Sequence, residues 1–157
     1  MNQGLLKDNG ELMELISRII HALTQLHPVH PMFVHFPIAL TGAAFLFVLL
    51  AAWRKSLALE QAAFANMVLA SIATVAAGIT GYLDNIKNYE GAAPNAAAKI
   101  VLATLLLLLT AGLSFVRYRS PDLLWKSQRI IYVASYGASF AIALVLAFLG
   151  GVILYGF

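Results

Sequence analysis

The chain of 157 residues contains no cysteine. That absence excludes disulfides, thiolate metal sites and the thioether attachment of a c-type haem. Charge is scarce too: Asp, Glu, Lys and Arg together make up 11% of the residues, against 61% hydrophobic. A soluble domain of this size could not keep so much apolar surface out of water, so the composition is that of an integral membrane protein. Histidine is confined as well as rare, since all four lie between His21 and His35. No two of them can approach a haem from different spans of one chain. No string resembles a nucleotide-binding loop or a hydrolase nucleophile, and catalysis beyond electron transfer has no support. The net charge of +3 does not point to nucleic acid, because the basic residues flank apolar runs instead of lining one polar face.

What is present is a set of four apolar runs of spanning length, at about Met32 to Trp53, Ala63 to Asp84, Ala96 to Tyr118 and Ile130 to Tyr155. They predict an all-α fold, an integral membrane four-helix bundle over residues 30–157. An N-terminal segment, residues 1–29, precedes it. There Leu12, Leu15, Ile16, Ile19, Ile20, Leu23 and Leu26 recur at helical spacing opposite Glu14, Arg18, His21 and Gln25. That pattern reads as an amphipathic helix at the membrane interface, or equally as one packed on a partner subunit. Lys7, Asp8, Glu11, Glu14 and Arg18 interrupt the apolar core that a secretory signal needs, so no cleaved signal is expected.

Arg54 and Lys55 follow the first run, and Arg117, Arg119, Lys126 and Arg129 lie between the third and fourth. By the positive-inside rule those two loops are expected to be cytoplasmic, which turns both termini and the middle loop outward. Small residues recur every fourth position in the fourth run (Ser135, Ser139, Ala143, Ala147, Gly151) and in the second (Ala73, Ala77, Gly81). Such seams let backbones approach closely, so these two helices are expected to pack centrally, or one seam to form a homodimer contact. The third run, with Leu105 to Leu109 unbroken, is expected to meet lipid. Trp53, Tyr118 and Trp125 fit an aromatic belt.

The densest chemistry is in HPVHPMFVHFPIAL, His27 to Leu40. Pro28 and Pro31 bias His27 and His30 towards extended backbone, so the first helix is expected to start at or just after Pro31. Pro37 then falls in the second turn, where it cannot bond the Phe33 carbonyl and should loosen the opening of the helix. His35 lies one turn inside the apolar run, and an ionisable group there is a functional-site hypothesis by default. Three uses stay open: ligation of haem iron or another metal, proton relay or a bond to a quinone headgroup, and a purely structural bond to Asp84 or a carbonyl. His30 and His35 would sit about 140° apart around a helix, so they do not make a one-face ligand pair. The candidate ligands are therefore His35, His30 and His27 for a cofactor, and His35 and His30 for a metal. Asp84 is the candidate that orients one of them. A transporter would need a continuous polar route, and the spans hold only Asn66, Ser71, Thr74, Thr104, Ser135 and Ser139.

HPMFVHFPIAL at His30 to Leu40, TGYLD at Thr80 to Asp84 and GGVILYGF at the C-terminus together resemble the bacterial membrane-protein family called domain of unknown function 2231. The family pattern falls on His30, Pro31, His35, Pro37, Gly81, Asp84, Gly150 and Gly151. The resemblance implies a small four-helix inner-membrane protein with redox-associated relatives, some joined to Rieske or cytochrome-like modules. Many relatives carry another histidine on the third helix or near the C-terminus, where this chain has Asn95, Lys99 and Tyr155. The expected function is an accessory or haem-associated subunit of a membrane electron-transfer assembly, with haem b as the implied cofactor and homo-oligomer or redox-subunit partners within the bilayer. The competing expectation is a non-redox structural or assembly subunit whose His-Pro motif only fixes helix packing.

Overall fold

The computed structural model describes residues 11–19 and 29–155, all of its regular structure being helical. Residues 11–19 form helix α1, within the expected amphipathic segment, with Arg18 paired to Glu14 one turn away at 2.6 Å. The rest of that segment, His27 included, lies outside the described residues. Four long helices follow: α2 (Val29–Arg54), α3 (Leu57–Tyr89), α4 (Ala96–Arg119) and α5 (Arg129–Tyr155). Each contains a stretch long and apolar enough to cross a membrane.

The connections explain where the helices stop. Lys55, in the left-handed region at φ 51°, breaks α2, and Ser56 caps α3 with its hydroxyl accepting the Leu59 N–H at 3.4 Å. Glu90 and Gly91 both adopt positive φ to end α3, and the Gly91 N–H returns to the Asn85 carbonyl at 3.0 Å. Between α4 and α5 a short 3-10 turn, Leu123–Trp125, tucks Leu123 and Leu124 into the end of the core. Helix α2 begins at Val29, ahead of the expected start, because Pro31 is tolerated in a first turn whose N–H groups have no intrahelical partner. It runs on without interruption through Pro37.

Each long helix packs on its neighbours in the chain, and α2 closes the ring against α5. The expectation that the second and fourth spans form the central pair is not met: α3 and α5 each pack on α2 and α4 rather than chiefly on each other, and Gly81 of the α3 seam lies against His30 of α2. On α3 the inward face is Ala63, Met67, Ala70, Thr74 and Ala77, while Gly78 is exposed. The α2/α5 contact uses reciprocal sockets. A Cβ on Gly42 would stand 3.0 Å from the Phe140 ring, and one on Gly137 would stand 3.1 Å from the Phe45 ring. The two rings lie 6.4 Å apart, each seated over the other helix's glycine. Helix α4 buries only Leu106 and Thr110 and exposes Leu105 and Leu108, as a helix bordering lipid would.

The polar residues scattered along the spans discharge their donors locally. Asn66, Ser71, Thr74, Thr104, Ser135 and Ser139 each bond a carbonyl one turn back on their own helix, at 2.7 to 3.1 Å. Among the described residues no buried side-chain nitrogen or oxygen is left without a partner. These groups thus bond back onto their own helices.

Candidate functional site

The sequence places its histidines at the start of α2, and the structure sends the two described ones in different directions. His30 turns inward, half-buried, against the last third of α3. Its Nδ1 lies 3.3 Å from Thr80 Oγ1. The Thr80 hydroxyl proton is committed to the Ala76 carbonyl at 2.9 Å, so His30 Nδ1–H is the donor and Thr80 the acceptor. Its ring also fills the space above Gly81, where a Cβ would come within 2.7 Å of His30 Cε1. Gly81 is thus the position at which α3 must lack a side chain for His30 to pack there.

His35 turns outward and is exposed, beside the exposed Met32 and Phe36. Its Nδ1 sits 2.5 Å from the Pro31 carbonyl oxygen. A carbonyl can only accept, so Nδ1 carries the proton and Nε2 presents its lone pair. No described residue engages that Nε2. The two rings therefore share neither a face nor a partner, as their spacing foretold.

Asp84 does not bond either histidine. Its carboxylate accepts from Asn88 Nδ2 at 2.6 Å, one turn further along α3. It remains close enough to His30 to act on it through space, as does Lys99 from α4. The expected orienting bond is replaced by this looser grouping of His30, Asp84 and Lys99. Among the described residues no three His, Asp or Glu side chains converge as a bound metal ion would require.

The opposite end of the bundle holds a polar centre that sequence reasoning missed. Glu60, in the first turn of α3, is 1% exposed. Arg117, in the last turn of α4, grips it with both arms: Nε to Oε1 at 2.9 Å and Nη2 to Oε2 at 2.6 Å. Tyr132 of α5 donates to the same Oε1 at 3.0 Å, and the buried Tyr136 stands 2.9 Å from the Tyr132 hydroxyl. Since the Tyr132 hydrogen goes to the carboxylate, Tyr136 is the donor in that second bond. Arg117 also lies over the Phe64 ring, 4.7 Å from its centroid. The position of Glu60 near an α3 amide terminus favours its negative charge.

A carboxylate saturated by three donors has little left to offer a ligand. What it does well is hold α3, α4 and α5 together in a low-dielectric setting where loss of any partner is costly. The sequence reading started the second span at Ala63, which left Glu60 outside it, and counted Arg117 among the loop cations. Ser56 was the available signal: as an N-cap it starts the helix at Leu57 and brings Glu60 into its first turn. Tyr132 and Tyr136, four apart on one face of α5, were the other.

No curated protein and no solved structure matches the chain. Four spanning helices, with His30 seated over Gly81 at one end, are what the first and second of the sequence motifs build. In agreement with them, the family model described as "Predicted membrane protein (DUF2231)" matches residues 26–157, so the chain belongs to that membrane-protein family.

Proposed function

We propose that this protein is an accessory subunit of an electron-transfer assembly in a bacterial cytoplasmic membrane, and that His35 would ligate the iron of a haem b. The observation that carries this reading is the posture of His35. An ionisable side chain in a spanning helix ordinarily faces the bundle interior. His35 faces out, with Nδ1–H held by the Pro31 carbonyl and Nε2 without a partner among the described residues. Backbone anchoring of one ring nitrogen is how proteins fix the tautomer and direction of a ligating imidazole. These residues offer a single imidazole, so a second ligand, where the iron takes one, would come from a second copy or a partner subunit. When bound, such a group would supply one-electron transfer, while this chain would hold the imidazole by its bond to the Pro31 carbonyl, with the exposed Met32 and Phe36 beside it.

Orientation follows from charge. Arg54, Lys55, Arg117, Arg119, Lys126 and Arg129 gather at the Glu60 end, where Arg117 is neutralised and Asp122 is the other carboxylate. That end is assigned to the cytoplasm and both termini to the periplasm.

The test is purification in mild detergent from cells supplied with iron and haem precursor, followed by oxidised and reduced absorption spectra and a pyridine haemochrome assay. A b-type signal that vanishes in His35→Ala, with helicity and melting unchanged, is the expected result. A folded, colourless preparation whose co-purifying membrane partners also lack haem overturns it. The second reading, a structural or assembly subunit, is favoured by His30, whose ring is spent on Thr80 and Gly81. It predicts that His35→Ala leaves spectra and partner content alike unchanged, with His30→Ala lowering stability.

A further inference from the structure

Towards the basic end of the bundle, residues of α2 and α5 line an open crevice of about 540 Å³. Its walls are apolar, including Phe45 and Leu49 from α2 and Val133 and Ala134 from α5. One of the two sockets that join the helices, Gly137 under Phe45, belongs to its lining. Two residues change its character at the rim: Trp53 and Arg129. Arg129 donates one Nη2 bond to the Ala52 carbonyl at 3.1 Å, which fixes the guanidinium over the mouth. It has no carboxylate partner among the described residues, and no Asp or Glu lines the crevice. Arg54 adds a second cation, 5.5 Å from the centroid of the Trp53 ring. The same rim is the start of α5, whose amide end is partially positive.

We infer that this crevice is a binding site for an anionic phospholipid, with one acyl chain along the Phe45, Leu49 and Val133 walls and the phosphate on the free N–H groups of Arg129. The chemistry selects the occupant. An apolar slot on the outer face of a spanning helix pair is filled from the bilayer, and a fixed, unpaired guanidinium with an aromatic residue beside it belongs at headgroup depth. The other carboxylates at this end do not compete: Glu60 is held by Arg117, and Asp122 lies 3.8 Å from Lys126. A zwitterionic lipid would bring its own ammonium group to the same rim and lose most of the advantage.

Trp53 makes the site readable. In a Trp125→Phe background Trp53 is the sole tryptophan, and its fluorescence is measured in phosphatidylcholine vesicles doped with brominated phosphatidylglycerol or with brominated phosphatidylcholine. The expected result is quenching by the anionic lipid at about one-fifth of the mole fraction the zwitterionic one needs, the factor for one engaged arginine near a membrane surface. Arg129→Gln should abolish that preference. Ala134→Phe, a change at an exposed position that fills the slot, should reduce quenching by both lipids. Lys126→Gln, the same loss of charge away from the crevice, should leave the preference intact. Equal quenching by the two lipids overturns the inference. So does a Lys126→Gln effect as large as that of Arg129→Gln, which would reduce the preference to a diffuse surface charge.

Discussion

The Glu60–Arg117 pair gives the sharpest quantitative expectation, because its two members differ in how well they can survive alone. Replacing Arg117 with Met strips the carboxylate of two charge-assisted bonds and leaves it with Tyr132 alone, at 1% exposure. Breaking a buried pair in this way costs about 3–5 kcal/mol. Replacing Glu60 with Met is milder. The Arg117 side chain retains 12% exposure, sits in the last turn of α4 and lies over Phe64, so it can swing its head to the surface while its stem stays packed. We expect about 1–2 kcal/mol there, the range for one lost polar partner with an escape route. The double replacement removes both charges and should return to within about 1 kcal/mol of the parent, since apolar isosteres of buried pairs are often neutral or better. The cycle is measured by reversible unfolding in mixed micelles titrated with dodecyl sulfate and followed by far-ultraviolet circular dichroism. Single effects that add to within about 0.5 kcal/mol would refute a coupled buried pair. A Glu60→Met variant less stable than Arg117→Met would refute the proposed escape of the arginine.

Two further expectations concern glycines. Gly81→Ala should destabilise by about 1–3 kcal/mol, because its methyl would come 2.7 Å from His30 Cε1, and adding His30→Ala should recover most of the loss; a double variant no better than the single one would mean that His30 is not what Gly81 accommodates. Gly137→Ala should likewise cost stability through the Phe45 ring, 3.1 Å from the new atom, whereas Gly78→Ala meets nothing within 4 Å and should gain about 0.5–1 kcal/mol from helix propensity; melting both side by side checks the contrast.

The number of spans and their chain order could be read from the sequence because hydropathy at spanning length is a one-dimensional signal. Helix–helix pairing could not. A small residue every fourth position on α3 and α5 says that something packs closely there, and the natural guess joins the two seams. The structure sets α2 between them, and the residues that decide this are the bulky partners Phe45, Phe140 and His30, whose match to a particular glycine depends on relative helix height. The histidine mouth was half legible. The angular separation of His30 and His35 foretold their different faces, but not which would turn inward, since Thr80 and Gly81 lie some fifty residues away. Glu60 was hidden by the hydropathy window itself. Helix α3 has 33 residues, about 50 Å of helix, far more than the hydrocarbon core requires. A reading that stops where the apolar run stops misses the turn that carries its buried charge.

The clamp at Glu60 also has an order in time. The chain is made from its N-terminus, so α2 and α3 exist as a helical hairpin before Arg117 has been translated, and Tyr132 comes later still. Until then the carboxylate has neither of the partners that surround it in the finished bundle. The first hairpin is thereby marked as incomplete by a single residue, and the mark is erased only when α4 and then α5 arrive to cover it. A chain truncated before α4 would keep that mark, a chemical distinction between unfinished and finished copies.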